Sequence, residues 1–307
     1  MAGKKSPAPS GLTVVVAGAS GLIGRALQKQ LVTAGHSVHR FVRSSPQGPD
    51  EHAFDPIGGT VDQGIIDHAD VVVNLSGASI GKIPWTKNHK DLILSSRIQS
   101  TSTLARAIAR SDSPPAVFLS ASAVGIYGPS GDVELTEDSP AGDDFLATVT
   151  VAWEEAANAA ADVTRVVYPR TGLVVGHGGA MAPLKLQTAL FVAGRIGPGS
   201  QWWPWISLHD EVRALIHLIG HKDTSGAYNL VGPTPAQSVE VTKALATLMR
   251  RPHLIGLPTF AIKTLMGEAG EHLLLSSQKI SSQKLQDTGF VFDDVTIEDA
   301  LSRMLGR

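Results

Sequence analysis

The run Val14-Val15-Val16-Ala17-Gly18-Ala19-Ser20-Gly21-Leu22-Ile23-Gly24 restricts the folding of this chain more than any other segment. Three consecutive valines favour an extended strand, and such an uninterrupted apolar run suits a strand buried on both faces. The glycines that follow have GxxGxxG spacing. Helical periodicity then appears at Ile23, Leu27, Leu31 and Ala34 and stops at Gly35. This order of strand, tight turn and helix sets the helix N-terminus just beyond the strand's carboxyl end, with its unpaired amides and positive dipole end facing outward. An anionic phosphate suits that place. Gly18 permits the tight turn, Gly21 lets backbone amides approach a diphosphate, and Gly24 lets helix and strand pack closely. Gly18, Ala19, Ser20, Gly21, Leu22, Ile23 and Gly24 are therefore the expected cradle.

Further valine-rich runs, HSVHRFV, ADVVVNLSG, PAVFLSAS and TRVVYPRTG, alternate with helical patterns. That alternation predicts an α/β protein, a Rossmann-type doubly wound parallel sheet with helices on both faces. A long helix is expected from about Thr86 to Ala109, with Ile93, Thr101, Leu104 and Ile108 on its apolar face. After about residue 180 helical stretches predominate, broken by GRIGPGSQWWPW and VGPTP. They predict a smaller, mainly helical C-terminal lobe, with helices around Leu257 to Leu275, Ser277 to Thr288 and Ile297 to Leu305. The expected organisation is a disordered tail over 1–11, a binding domain over 12–180 to which some later segments return, and the lobe over 181–307.

Composition narrows the partners. The 26 basic and 28 acidic side chains nearly cancel, which argues against nucleic acid or an anionic membrane surface as a partner. The chain has no cysteine, so disulfides, thiolate metal sites and a thiol nucleophile are excluded. No run approaches the roughly 20 apolar residues that span a bilayer. The stretch Leu12 to Ala17 is only strand-length, too short for a secretory signal. A cytoplasmic protein is expected. No metal is expected either, because His209 and Asp210 stand without further ligands in the sequence.

Cofactor selectivity is read at the end of the second strand, HSVHRFVRSS. An NAD site would place a carboxylate there against the ribose 2′-hydroxyl. Here Val42 holds that place, and Arg43 and Ser44 follow. An arginine can clamp a 2′-phosphate with two charge-assisted hydrogen bonds, so the expected cofactor is NADP(H). Arg40, on the same strand, is a candidate to share the role, and a solvated surface arginine is the alternative reading of Arg43.

Together with Asn74-Leu75-Ser76-Gly77, Ser120-Ala121-Ser122-Ala123-Val124-Gly125-Ile126-Tyr127-Gly128, Thr136-Glu137-Asp138-Ser139-Pro140 and Arg170-Thr171-Gly172, these features resemble the extended short-chain dehydrogenase/reductases. Sugar-nucleotide epimerases and dehydratases belong to that superfamily. More narrowly, Trp85-Thr86, Ser96-Arg97, Trp153-Glu154, Gln201 to Asp210, Arg251-Pro252 and a C-terminal stretch with Leu257-Pro258 and Gly267-Glu268 are similar to an atypical branch. Its members are usually named epimerase family protein, and some carry a cell-division-inhibitor label. The resemblance implies that Leu75 and Ser76 pass the adenosine side of the cofactor and that Gly77 also belongs to its binding site. It also implies that Arg97, Arg170 and Thr171 approach its nicotinamide half or phosphates. The alternatives are a surface charge at Arg97 and a carboxylate partner for Arg170.

Hydride-transfer enzymes of this superfamily use a Tyr-x-x-x-Lys pair on one helix, the lysine helping to lower the tyrosine pKa. By alignment of the helix ATVTVAWEEAA the corresponding positions here are Val149 and Trp153, and neither moves a proton. Ser122 falls where the superfamily serine sits and is one catalytic candidate. Tyr127 is the other, the alternative being a tyrosine tucked beneath its loop. Trp202, Trp203 and Trp205 either wall a substrate cleft or pack a hinge. Two functions follow: an NADP(H)-dependent oxidoreductase or epimerase of an unknown small carbonyl, alcohol or sugar-nucleotide-like substrate, and a catalytically inactive NADP(H)-binding regulatory protein. By analogy with the superfamily, helices near 86–109 and 145–160 point to a homodimer.

Overall fold

The computed structural model describes residues 11–307, so the tail expected over 1–11 lies, apart from Gly11, outside the described residues. Its centre is a sheet whose main strands are β1 (Thr13–Ala17), β2 (Ser37–Val42), β3 (Glu51–Asp55), β4 (Thr60–Val61), β5 (Val71–Asn74), β6 (Val117–Ser120), β7 (Arg165–Thr171) and β8 (Gly226–Leu230). Their spatial order is β8-β7-β6-β5-β1-β2-β3-β4, parallel throughout except for the β3–β4 hairpin. Ser122–Ala123 adds a short strand beside β7. The chain leaves β1 first toward β2 and later returns on its other side with β5, which makes the carboxyl ends of β1 and β5 the topological switch point. Ligands of open α/β sheets bind in that crevice.

Helices cover both faces. They are α1 (Leu22–Thr33), α2 (Gln63–His68), α3 (Lys87–Ala109), α4 (Phe145–Glu155), α5 (Met181–Ala189), α6 (Leu208–Gly220), α7 (Ser238–Leu248), α8 (Thr259–Met266), α9 (Gln283–Asp287) and α10 (Ile297–Leu305). On one face Leu27 and Leu31 of α1 pack with Leu215 and Leu218 of α6 against Val14, Val16 and Val73. On the other, Ile65 and Ile66 of α2 and Leu104 and Ile108 of α3 cover Val15, Val72 and Phe118. Thr86 caps α3 by accepting from the His89 amide, and Ile93, Thr101, Leu104 and Ile108 are all buried, as the periodicity predicts.

Two segments after residue 180 lie with the main sheet and its core. Helix α6 belongs to the main core, and β8 supplies the edge of the main sheet. The lobe has its own core of Met181, Leu184, Trp203, Trp205, Val241, Leu245 and Leu301. The helix expected from Leu257 to Leu275 is broken at Gly267, whose φ of +56° lies in the left-handed region. The helix expected over Ser277 to Thr288 shrinks to α9, because Lys279–Ile280 instead pairs with Glu134–Leu135 as a short strand. No helix of the described residues is long and apolar enough to cross a membrane.

Candidate functional site

The glycine turn is built by backbone geometry. Gly18 has φ +79°, and the Gly21 amide donates back to the Gly18 carbonyl at 3.0 Å. A Cβ on Gly18 would lie 2.5 Å from the Leu75 carbonyl carbon and 2.8 Å from the Ser76 nitrogen. A Cβ on Gly24 would lie 2.4 Å from the Gly18 oxygen. The first and third glycines therefore let β1, α1 and the segment after β5 close on one another. Gly21 differs: its φ is −70°, and its only close neighbour would be the Gly18 oxygen at 3.3 Å. It stands at the N-terminus of α1, which no side chain caps. The amides of Leu22, Ile23 and Gly24 begin a helix whose first N–H groups require a partner from outside the helix. Ala19 and Ser20 complete the turn. The Ala19 carbonyl accepts from Gln28 Nε2 at 2.6 Å, and the Ser20 carbonyl accepts from Arg25. These observations fit a diphosphate.

Beside this turn, Leu75 and Ser76 leave β5, and Asn74 fixes their course by accepting from the Ser76 amide at 3.1 Å. Arg43 and Ser44 are exposed just past the end of β2. Among the described residues Arg43 has no ion-pair partner. Arg40 pairs with Glu51 of β3 at 3.3 Å, directly across the strand register.

Gly77 and Arg97 meet. A Cβ at Gly77 would lie 3.1 Å from the Arg97 guanidinium carbon. Arg97 is not the surface charge of the alternative reading: its guanidinium stacks over the Trp153 indole at 4.9 Å, and burial lowers its pKa to about 10. Trp153 and Val149 both point inward from α4. Val149 packs with Trp85 and Ile93, while Trp153 Nε1 donates to Thr101 at 3.0 Å.

Arg170, Thr171 and Tyr127 depart from expectation. Arg170 is buried and holds Glu154 with two hydrogen bonds, from Nε at 2.9 Å and Nη2 at 3.0 Å. Burial alone would lower its pKa, but the bonds and charge of Glu154 outweigh burial and hold it above the ordinary arginine value. The guanidinium thus serves an internal pair rather than an open crevice. Thr171 likewise turns inward and donates to Glu211 at 2.7 Å. Tyr127 is only 5% exposed, donates to Asn229 at 2.6 Å and accepts from Arg170 at 2.9 Å. Burial raises its pKa against the counteracting charge of Arg170, the wrong direction for a tyrosine acid/base at neutral pH. It is the tyrosine tucked beneath the loop.

Ser122 keeps its place and gains a partner that sequence reasoning missed. Its hydroxyl donates to Glu154 Oε1 at 2.5 Å, so the carboxylate joins Ser122 to Arg170. Glu154 follows Trp153 directly, and the WE dipeptide is the one sequence signal that marked it. A second missed segment is Gly178-Gly179, which lies over Leu22 at the start of α1. The glycines at 176, 178 and 179 were its signal.

Two other clusters carry less chemistry. Trp203 and Trp205 are buried in the lobe core, with indole nitrogens donating to the carbonyls of Leu274 and Thr234. Trp202 alone is half-exposed, bonded to Asp132 at 2.7 Å. All three also line a small pocket with Gln278 and Ile280. His209, Asp210 and Asp293 converge, but Arg213 pairs with both carboxylates and supplies the cation there.

Glu211 is fully buried, and desolvation raises its pKa to about 8 despite the opposing hydrogen bond from Thr171. The folded state therefore holds a proton that the unfolded chain, near its ordinary 4.5, has lost. The resulting stability is complete below about 4.5 and vanishes as pH rises through 8, at up to ~1.4 kcal/mol per pH unit. Glu211→Gln removes the titrating group. Urea melts at pH 5.5 and 8 should show the stability difference between the two pH values shrinking in the variant; an undiminished difference refutes the assignment.

Comparison with known proteins agrees with this geometry. Residues 14–231 match the NAD dependent epimerase/dehydratase family, and 257–304 match a domain of unknown function, DUF1731. An epimerase family protein of Mycobacterium leprae is 38% identical over 291 residues, covering 94% of each chain. Human epimerase family protein SDR39U1 is 32% identical over 298 residues, covering 96% of this chain and all of that protein. The crystal structure of its isoform 2 with NADPH superposes with a TM-score of 0.88 at 31% identity, covering 96% of this chain and 99% of the other. The glycine cradle, the parallel sheet and these matches together make the chain a member of the NAD dependent epimerase/dehydratase family.

Proposed function

We propose that the chain is an NADP(H)-dependent oxidoreductase or epimerase that works without a Tyr-x-x-x-Lys pair. Its substrate would be a small carbonyl or alcohol compound, or one resembling a sugar nucleotide. The observation that carries the reading is the exposed Arg43, without an ion-pair partner among the described residues, at the end of β2, the strand next to β1, whose turn leads into the uncapped N-terminus of α1. Arg43 and Ser44 would take the 2′-phosphate, the amides from Gly18 to Gly24 the diphosphate, and Leu75, Ser76 and Gly77 the adenosine side. NADPH in the crystal structure of human SDR39U1 supports the choice of cofactor.

The nicotinamide, when bound, supplies hydride exchange at C4. Ser122, itself only 3% exposed, and Glu154 would carry the proton. In the oxidising direction Ser122 Oγ accepts the proton of the substrate hydroxyl while passing its own to the Glu154 carboxylate. Arg170 holds that carboxylate in place. By analogy with the superfamily, α3 and α4 would meet their copies in a two-fold dimer.

The loss of the tyrosine and lysine positions favours a second reading, an NADP(H)-binding regulator without turnover. Single-turnover absorbance of bound NADPH separates the two. Decay with at least one member of a carbonyl panel is the expected result, and demonstrated binding with no decay for any member would establish the regulator.

A further inference from the structure

Among the described residues, Arg97 is an arginine without a counter-charge. Arg170, Arg213 and Arg303 each face a carboxylate, and Arg165 gives both Nη groups to backbone carbonyls at the ends of α6 and the turn that follows. Arg97 uses only Nη1, which donates to Ala78 O at 3.1 Å and Ile93 O at 3.0 Å. Among the described residues, Nε and Nη2 have no acceptor. These two nitrogens form the side-on edge of the guanidinium, the geometry that matches two oxygens of a carboxylate or phosphate. The side chain is also held in plane. Trp153 stacks beneath it, and Gly77 closes on it with no Cβ between. A restrained fork loses less entropy when it binds than a free surface arginine does.

We propose that Arg97 binds a carboxylate of the substrate side-on through Nε and Nη2, making the substrate a carboxylate-bearing alcohol or carbonyl compound. The inference rests on the dinucleotide reading, which locates the cofactor along β1, β2 and β5. The cofactor's phosphate positions already have donors, the amides of α1 for the diphosphate and Arg43 for the 2′-phosphate. Arg97 stands on α3 against Gly77, stacked on the residue that holds the superfamily's lysine position. Trp153 removes that lysine's charge, and Arg97 restores a cation over the same side chain. Burial disfavours its charge, and a bound anion relieves that cost.

Oxalate is a suitable probe, planar and carrying paired carboxylate oxygens. Calorimetry first measures NADP+ binding to the wild type, Arg97→Lys and Arg97→Gln, with thermal melts confirming that each is folded. NADP+-saturated protein is then titrated with oxalate. Wild type should bind oxalate, and both variants should weaken it at least ten-fold while NADP+ affinity stays within three-fold. Lysine keeps the charge but not the fork, so a Lys variant that binds oxalate as well as wild type overturns the side-on geometry. Absence of oxalate binding to the wild type overturns the carboxylate site. A ten-fold loss of NADP+ affinity in the variants reassigns the fork to a cofactor phosphate and also overturns it. Failure of wild type to bind NADP+ at all is separate and strikes the cofactor reading itself.

Discussion

Gly18→Val should reduce NADP(H) affinity at least about 100-fold, a loss of about 2.7 kcal/mol or more. The added Cβ would meet backbone atoms, Leu75 C at 2.5 Å, Leu75 O at 2.6 Å and Ser76 N at 2.8 Å. Backbone cannot swing aside as a flexible side chain does. The φ of +79° adds strain that a β-branched residue tolerates poorly. Relief requires the turn after β1 to separate from the segment after β5, which spoils two parts of the site at once and lowers the melting temperature. Gly21→Ala is the contrast. Its backbone is already in an ordinary extended conformation and the added methyl would meet only the Gly18 oxygen, at 3.3 Å, so it should fold within about 1 kcal/mol of wild type. It should still weaken binding, because the methyl intrudes where the diphosphate approaches. Isothermal titration and thermal melts on both variants check the pair of outcomes; tight NADP(H) binding by Gly18→Val contradicts the assignment of the cradle.

Glu154→Ala should be the most destabilising change at the Ser122 end of the site. Arg170 would stay buried with its carboxylate gone, and removing one partner of a buried pair costs about 3–5 kcal/mol. Tyr127 and Asn229, linked onward from the same guanidinium, would lose their fixed geometry as well. Glu154→Gln is the informative companion. Its amide oxygen can still accept from Ser122 or Arg170, so the fold should survive, but it cannot take a proton at neutral pH. Chemical denaturation should rank wild type above Gln and Gln above Ala. Single-turnover hydride transfer should be lost in Gln with NADP(H) affinity unchanged. Full transfer in Glu154→Gln removes Glu154 from the proton route.

What could be read in advance follows from the range of the forces involved. The cradle was legible because strand, turn and helix are determined locally, by three valines, three glycines and one apolar stripe. Helix α3 was legible for the same reason: Thr86 caps it and its buried positions recur at helical spacing. Strands β3 and β8 were not. Glu51-His52-Ala53-Phe54-Asp55 buries only Phe54, and Gly226–Leu230 sits in a stretch dominated by helices, so pairing partners distant in sequence decide their state. The site divides the same way. Arg43 and the glycines are proposed from their position after a strand. Glu154 meets Ser122 across 32 positions of sequence, and no spacing rule reaches that far. Tyr127 and Arg170 looked available in sequence; burial and mutual hydrogen bonding set them inside.

The central claim is that the crevice at the ends of β1, β2 and β5 holds NADP(H) through its 2′-phosphate. Parallel titration of wild type and Arg43→Ala with NADPH and NADH tests it most directly. Wild type should bind NADPH at least ten-fold more tightly than NADH, and Arg43→Ala should erase most of that preference by weakening NADPH alone. Equal or tighter binding of NADH by wild type, or unchanged NADPH affinity in Arg43→Ala, would contradict it.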